Sequence, residues 1–168
     1  MNGPRFLFIL DQRIDERVRA IRSEHPFWPC QRGCSACCRS LGELPHATAA
    51  EWERLYAGFV RLPVGTQEAI LARIASLDGF SVLVPLACPF LDPGDGACLV
   101  YEHRLLACRT HGYYVSRGEG RWCQALEAEL SARAPTVMFG NLDSVTDEAR
   151  AEGGETLTLI DWWRGLEP

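Results

Sequence analysis

The chain has 168 residues, of which 47% are hydrophobic and 23% are charged, so it can bury a core and is not a disordered tail. Its formal net charge of −5 argues against general nucleic-acid binding, because that requires a basic surface. All 17 cationic side chains are arginine, which excludes catalysis through a lysine nucleophile or Schiff base.

The pattern of apolar residues contains neither a membrane span nor a secretory leader. No segment approaches the roughly 20 consecutive apolar residues that a spanning helix needs. The apolar run from Phe6 to Leu10 is too short for the hydrophobic part of a signal peptide. We therefore expect a soluble, cytoplasmic protein that does not bind membranes.

Helical periodicity dominates the N-terminal part of the chain. Apolar residues at spacings of three and four predict an amphipathic helix over residues 6–24. A second helix opens at about His46, where Thr48 and Glu51 have the spacing of a capping box, and it ends before Pro63. The first cysteines therefore lie between two predicted helices.

The following segment alternates helix-forming and turn-forming sequence. A third helix is predicted over residues 67–77, with Thr66 as its cap. Residues 80–86 are expected to be extended. A turn rich in Asp, Pro and Gly follows at residues 92–96, and residues 98–101 are predicted to form a short strand.

The C-terminal part again favours helices, over residues 121–133, 143–151 and 156–164, with Ser144 as the cap of the middle one. The last helix carries two adjacent tryptophans, which we expect in the core. No repeat or linker is visible, so residues 1–168 are predicted to form one small domain. The expected fold is mostly α, with short extended segments, organised around a cysteine-rich metal or cluster site.

Half of the eight cysteines lie within nine residues, at Cys30, Cys34, Cys37 and Cys38. If this stretch were helical, about 100° per residue would place all four side chains within an arc of about 100°. In a loop, Cys34 and Cys37 would still have the C-x2-C spacing that places two thiolates on one metal ion. The adjacent side chains of Cys37 and Cys38 are expected to diverge, so they would serve two ions or two corners of a cluster, or one would be a packed thiol.

The remaining cysteines, Cys88, Cys98, Cys108 and Cys123, form a second, more widely spaced region. Cys123 is the weakest candidate ligand, since an isolated cysteine is often a small buried hydrophobe. Because cytoplasmic thiols stay reduced, this density of cysteines favours metal or cluster binding over disulfides. The spacing allows two four-cysteine sites or one larger cluster with spare thiols. If the two regions of the motif core, residues 30–123, act together, they must meet in space.

The ordered motifs C-x3-C-x2-C-C, C-P-F-L, C-x-V-Y-E-x-R and C-R resemble the YkgJ-type cysteine-cluster family, which is described as a zinc- or iron-chelating domain. The resemblance implies zinc or iron as the cofactor and its matching cysteines as ligands, and with Cys123 all eight cysteines are candidate ligands. Leu105 departs from the family, which tends to have proline there. The family also looks related to the cysteine-rich part of flagellin lysine N-methylases, which implies an iron–sulfur cluster as an alternative. The matching positions are Cys30, Cys34, Cys37, Cys38, Cys88, Pro89, Phe90, Leu91, Cys98, Tyr101, Arg104, Cys108 and Arg109.

Three functions stay open at this point. The first is chelation of zinc or iron through clustered cysteines, and the second is an iron–sulfur redox enzyme or electron-transfer accessory. The third is a thiol redox sensor in which Cys37 and Cys38 exchange disulfides. No phosphate loop, hydrolase elbow or Ser-His-Asp order is present, so we assign no catalytic residue and no protein partner.

Charged and imidazole side chains near the cysteines could assist a metal centre. Arginines could offset the negative charge of metal-bound thiolates, and histidines could replace a thiolate, although each histidine is more often a surface or capping residue. The arginines are Arg32, Arg39, Arg104 and Arg109. The histidines are His25, His46, His103 and His111.

Overall fold

The structure, a computed structural model, describes residues 4–77, 86–120 and 122–166. Helices dominate this part of the chain and the strands have only two or three residues, which confirms the predicted mostly α fold. The helices are α1 (Arg5–Glu24), α2 (Ala36–Arg39), α3 (Ala49–Phe59), α4 (Val64–Ala75), α5 (Leu106–Thr110), α6 (Gln124–Arg133), α7 (Leu142–Glu152) and α8 (Leu159–Arg164), with a 3₁₀ turn at Tyr101–His103. The strands are β1 (His46–Thr48), β2 (Tyr114–Val115), β3 (Gly140–Asn141) and β4 (Thr156–Thr158). Within the described ranges, no helix combines the length and apolar character needed to cross a bilayer.

One hydrophobic core, called the α1 core here, lies along the first helix. Leu10, Ile14 and Ile21 recur at helical spacing on α1 and are fully buried. Leu126 from α6 and Val145 from α7 pack into the same cluster. The predicted amphipathic helix is therefore confirmed, and it forms one wall of this core.

A second hydrophobic core, called the Trp163 core here, joins α3, α4 and α8. Trp163 is buried, and its ring packs edge-on against Trp52 and Phe59, with centroid distances of 4.8 Å and 4.7 Å. Trp162 is half-buried and stacks on Trp52, while its indole N–H donates to the Ala47 carbonyl at 2.9 Å. Both tryptophans thus contribute to the core, as the sequence predicts.

Short strands and one cap connect distant parts of the chain. β1 pairs antiparallel with β4, and β2 pairs parallel with β3. The predicted capping box is present, because Thr48 Oγ1 accepts from the Glu51 N–H at 3.3 Å and Glu51 Oε2 accepts from the Thr48 N–H at 3.1 Å. The other oxygen of buried Glu51 accepts the Leu106 N–H at 2.8 Å. Glu51 therefore fixes the start of α5, the helix that carries Cys108.

Two predicted helix caps, Thr66 and Ser144, are wrong. α4 begins at Val64, directly after Pro63, so Thr66 lies inside the helix and does not cap it. The reason is that proline has no backbone N–H to satisfy and its fixed φ is compatible with a helix start. α7 is capped by Asn141, whose side-chain oxygen accepts the Ser144 N–H at 3.1 Å, so Ser144 is not the cap.

Other local predictions also differ from the structure. No strand forms at residues 98–101 in the described chain, where Cys98 makes only an isolated bridge to Leu91. Of the predicted extended segment, only Leu86 lies within the described residues, and it bridges to Leu41. The segment predicted to be helical from His46 begins with strand β1 and becomes helical at Ala49.

Candidate metal centre

The first cysteine cluster is a loop followed by one helical turn. Gly33 has a φ of +89°, which interrupts any helix running across residues 30–38. Only α2 is helical there, and it contains Cys37 and Cys38. The helical alternative for this cluster is therefore wrong, and the loop alternative holds.

Cys88 and Cys98 lie on the two arms of a hairpin around the predicted turn. The Leu99 N–H donates to the Phe90 carbonyl at 2.9 Å, and Asp92 Oδ1 accepts the Gly94 N–H at 2.7 Å. The Cys88 N–H also donates to the carbonyl of Cys38 at 2.7 Å. This hydrogen bond joins the hairpin directly to the first cluster.

The backbone after Cys108 approaches Cys30 closely. Gly112 has a φ of +82°, and a Cβ added there would lie 2.6 Å from Cys30 Sγ. The Tyr113 hydroxyl donates a hydrogen bond to the Cys30 carbonyl. Cys123 is the residue that precedes α6, and it packs on the α1 core together with Cys30. These contacts bring the last two cysteine segments against the first cluster.

The sulfurs of both cysteine regions form one connected group. Three thiols lie within electrostatic reach of Cys30, namely Cys34, Cys37 and Cys123. Cys38 in turn interacts with Cys37, Cys88 and Cys98. Cys108 lies within reach of Cys37, Cys38 and Cys98. The structure therefore brings all eight sequence-predicted positions together.

A cavity of about 300 Å³ lies beside this group. Five of the eight cysteines line it, and the side chains of Arg22, Arg104 and Arg109 contribute positive charge to its wall. The five cysteines are Cys30, Cys34, Cys37, Cys108 and Cys123. Tyr101, Tyr113 and His111 also line the cavity. The cysteine group therefore has an accessible side.

The adjacent cysteines do not diverge as the sequence predicts. The Sγ atoms of Cys37 and Cys38 are 3.9 Å apart. Sulfurs on a tetrahedral zinc ion are about 3.8 Å apart, since each Zn–S bond is about 2.3 Å. The expectation fails because the single helical turn of α2 places both side chains on the same side of the group. This pair could therefore bind one ion or two neighbouring ions.

Burial and neighbouring thiols favour the neutral form of Cys30 and Cys37. Burial, followed by the charges of Cys123, Cys34 and Cys37, raises the pKa of Cys30 from 9.0 to about 12. The hydrogen bond to Cys38, followed by burial, raises the pKa of Cys37 still further. Each thiolate would repel its neighbours unless a cation compensated the charge.

The pKa values of two more thiols, those of Cys38 and Cys108, are also raised. A hydrogen bond from Cys37 lowers the pKa of Cys38, but the Cys88 thiol and burial outweigh it and raise the value to about 12. Cys108 is exposed as a residue, yet desolvation of its thiol in the cavity wall, followed by the charges of Cys98 and Cys38, raises its pKa to about 12. A bound cation would remove this mutual repulsion.

The donor set fits a thiolate-binding metal, although the side chains do not stand in a finished coordination geometry. Among the described residues, no three Cys, His, Asp or Glu side chains are positioned to hold one ion as they stand. Burial raises the pKa of Cys98 overall, but a backbone hydrogen bond from Val100 lowers it. This hydrogen bond would favour the thiolate form that binds metal. Metal binding would therefore require both deprotonation of the thiols and rearrangement of their side chains.

Of the predicted arginines, Arg104 acts most directly on the cysteines. Its charge lowers the pKa values of Cys98 and Cys108 against the dominant effect of burial, and its guanidinium lies 3.6 Å from the centroid of the Tyr101 ring. The other three make contacts elsewhere. Arg32 pairs with Glu102, Arg39 donates to Ser35 Oγ, and Arg109 pairs with Asp11 and Asp15.

The four histidines differ in position. His111 lines the cavity, and its Nε2 atom is buried without a hydrogen-bond partner. His103 packs on α3, where an added Cβ at Gly58 would lie 2.6 Å from the ring. His46 is exposed on β1, and the ring of His25 packs near Phe27 and Trp28. Only His111 lies beside the cysteines in the described structure.

Sequence reasoning missed three residues of the centre. Arg22 lies on the charged face of α1, where the sequence pattern indicates a solvent-exposed residue. Burial is the main effect and raises the pKa of Cys30, but the charge of Arg22 lowers it. Gly112 and Tyr113 follow Cys108 closely, but their contact with Cys30 depends on the fold. A glycine three or four residues after a clustered cysteine was the one available signal for a close backbone approach.

Comparison with known proteins agrees with this geometry. Residues 29–126 match the family model described as "CxxCxxCC: Putative zinc- or iron-chelating domain". The chain belongs to this family. Its first spacing is C-x3-C, one residue longer than the family's printed motif. No curated protein and no solved structure is detectably similar to the chain.

Proposed function

We propose that the chain binds zinc or iron through its eight cysteines and that the metal links the two cysteine regions. The observation that supports this most is the approach of thiols from three separate parts of the chain, at Cys34, Cys108 and Cys123, to one cavity. Zinc and iron both accept thiolate ligands. Metal binding would replace the thiol protons. Arg22 and Arg104 would then balance part of the negative charge of the thiolates.

Metal analysis of the purified chain tests this proposal. We expect stoichiometric zinc or iron in protein purified with and without oxygen, measured by elemental mass spectrometry. A Cys34→Ser variant should bind less metal, whereas His46→Ala, a change at an exposed position on β1, should bind as much as the wild type. A folded wild-type sample with neither metal would contradict the proposal.

An iron–sulfur centre is the second candidate, and the cavity favours it. A space of about 300 Å³ lined by five cysteines exceeds what one ion needs and has room for inorganic sulfide. Iron–sulfur clusters are held by cysteine thiolates. Acid-labile sulfide and brown absorption in anaerobically purified protein would support this candidate, whereas a colourless zinc protein without sulfide would contradict it.

The thiol-sensor alternative receives less support. Disulfide exchange requires a thiolate as the attacking group. The pKa of Cys37 is raised, first by its hydrogen bond to Cys38 and then by burial, so this pair is poorly suited to rapid exchange at neutral pH. Reversible formation of a Cys37–Cys38 disulfide in metal-free protein at neutral pH would reverse this ranking.

A further inference from the structure

We propose that the eight cysteines form two four-sulfur centres and that each centre takes ligands from both cysteine regions of the sequence. The proposal rests on the proposed metal-binding function and specifies how the ligands are sorted. The cavity-side centre consists of Cys30, Cys34, Cys37 and Cys123. The hairpin-side centre consists of Cys38, Cys88, Cys98 and Cys108.

Packing separates the two groups. Cys30 and Cys123 pack against the α1 core, whereas Cys88 and Cys98 pack against the Trp163 core. The two pairs therefore belong to different hydrophobic clusters. A split of the ligands by sequence order would place Cys123 with Cys88 and Cys98, against this packing.

The cavity separates the groups in the same way. All four cavity-side cysteines line it, and among the cysteines of the hairpin-side centre only Cys108 does so in the described structure. Cys108 is the fifth cysteine that lines the cavity, and we place it in the hairpin-side centre because the other four already form a complete set of four ligands. Its position at the cavity wall makes it the neighbour of both centres.

The adjacent pair at α2 is the point where the two centres meet. The Cys88 N–H donates to the Cys38 carbonyl at 2.7 Å, which ties Cys38 to the hairpin. Cys37 lines the cavity and lies within electrostatic reach of Cys30. The two sulfurs are 3.9 Å apart. The two centres would therefore be direct neighbours, with the Cys37 thiolate of one beside the Cys38 thiolate of the other.

Zinc stoichiometry of paired variants tests the sorting. Chelated protein is reconstituted with zinc alone, and zinc per folded chain is measured for the wild type and two double variants. Cys34→Ser/Cys123→Ser removes two ligands from one proposed centre and should retain half of the wild-type zinc. Cys34→Ser/Cys38→Ser removes one ligand from each centre and should retain almost none.

The two variants give the reverse result if the ligands are sorted by sequence order, because Cys34 and Cys38 would then share a site. Loss of all zinc from both variants would indicate one shared cluster. Either pattern overturns the sorting and leaves metal binding itself intact. Wild-type protein that takes up no zinc or iron would instead contradict the proposed function.

A measurement on the wild type covers the case in which a variant does not fold. The protein is loaded with the NMR-active isotope of cadmium, and couplings from each cadmium to cysteine β protons are recorded. We expect two cadmium signals, each coupled to four cysteines in the sets given above. A cadmium coupled to both Cys123 and Cys88 would overturn the proposal.

Discussion

The two sides of the cysteine group are held in place by different interactions. On the hairpin side, Cys88 and Cys98 lie on two arms joined by backbone hydrogen bonds, and the Cys88 N–H also donates to the Cys38 carbonyl. On the cavity side, Cys30 is positioned by the Tyr113 hydroxyl and by the close approach of Gly112. The hairpin side is therefore organised by the backbone, whereas the cavity side depends on side-chain packing next to an open space.

This difference suggests a division of roles. Backbone hydrogen bonds and contact with the Trp163 core preorganise Cys88 and Cys98 of the hairpin-side centre, so we expect its metal to exchange slowly. The cavity-side ligands face a space of about 300 Å³ that admits solvent, chelators and small molecules. The cavity-side centre is thus the one that would exchange metal or react.

Metal removal should have the largest effect. Thiolate coordination of a structural ion is worth on the order of 10 kcal/mol, comparable with the whole unfolding free energy of a typical domain. We expect a strong chelator to remove metal in two phases, with the cavity-side metal leaving first, and the cooperative unfolding transition to be lost after the second. Circular dichroism during chelation, with zinc added back as the control, measures both effects.

The double variant Cys34→Ser/Cys123→Ser sharpens this prediction. It should retain only the hairpin-side metal and show only the slow phase. If its remaining metal left at the fast rate of the wild type, the two sides would not differ in accessibility. If metal-free wild type unfolded with an unchanged midpoint, the metal would have no structural role.

Alkaline pH should destabilise the metal-free chain. The pKa values of Cys30, Cys38 and Cys108 are raised from 9.0 to about 12, so the folded state holds these protons more tightly than the unfolded state. This stabilisation is complete below about pH 9 and is lost as the pH rises towards about 12. We expect the denaturant midpoint to fall over this window in metal-free protein.

The metal-loaded chain provides the comparison for the pH effect. Its ligand thiols are already deprotonated, so its midpoint should change much less over the same window. Calorimetric titration should also show proton release on zinc binding at neutral pH, about four protons for each four-thiolate site. Parallel pH profiles for the two forms would show that these thiols stay protonated in both.

Gly112→Ala should affect the cavity side selectively. Alanine at a φ of +82° is strained, and its Cβ would meet Cys30 Sγ at 2.6 Å, so we expect a loss of about 2–3 kcal/mol and half of the bound zinc. Gly118→Ala is the matched control, because Gly118 has a φ of +81° with nothing within 4 Å of an added Cβ. It should cost about 1–2 kcal/mol and leave the zinc content unchanged.

The two glycine variants thus separate backbone strain from displacement of Cys30. Zinc content is measured by elemental analysis, and unfolding free energy by denaturant titration. Equal zinc loss in both variants would mean that backbone strain alone causes the loss of zinc. Contact between Gly112 and Cys30 would then play no part.

Local signals in the sequence predicted the features that depend on nearby residues. The periodicity of α1, the capping box of Thr48 and Glu51, and the turn at residues 92–96 all follow from spacings of a few residues. The family motif predicted membership of a family described as zinc- or iron-chelating, and the family match confirms that membership.

The arrangement of the cysteines could not be predicted in the same way. Gly33 adopts a positive φ that breaks the helical arc expected for the first cluster, and glycine permits this conformation without requiring it. The strand pairing of His46 with Thr158 and the contact of Gly112 with Cys30 join residues far apart in sequence. Such contacts depend on the complete fold, so spacing alone left the sorting of the sulfurs open.

Tyr113→Phe should give the smallest effect and address the cavity side most specifically. The change removes one hydrogen bond to the Cys30 carbonyl, which is worth about 0.5–1.5 kcal/mol. If that bond positions Cys30 as a ligand, zinc affinity of the cavity-side centre should fall about two- to tenfold, while the hairpin-side centre stays unchanged. Tyr114→Phe is the control, because the Tyr114 hydroxyl reaches only the Arg13 carbonyl at 3.5 Å. Competition titrations with a zinc-binding dye measure both affinities, and an equal loss in the two variants would assign the effect to general packing of the aromatic pair.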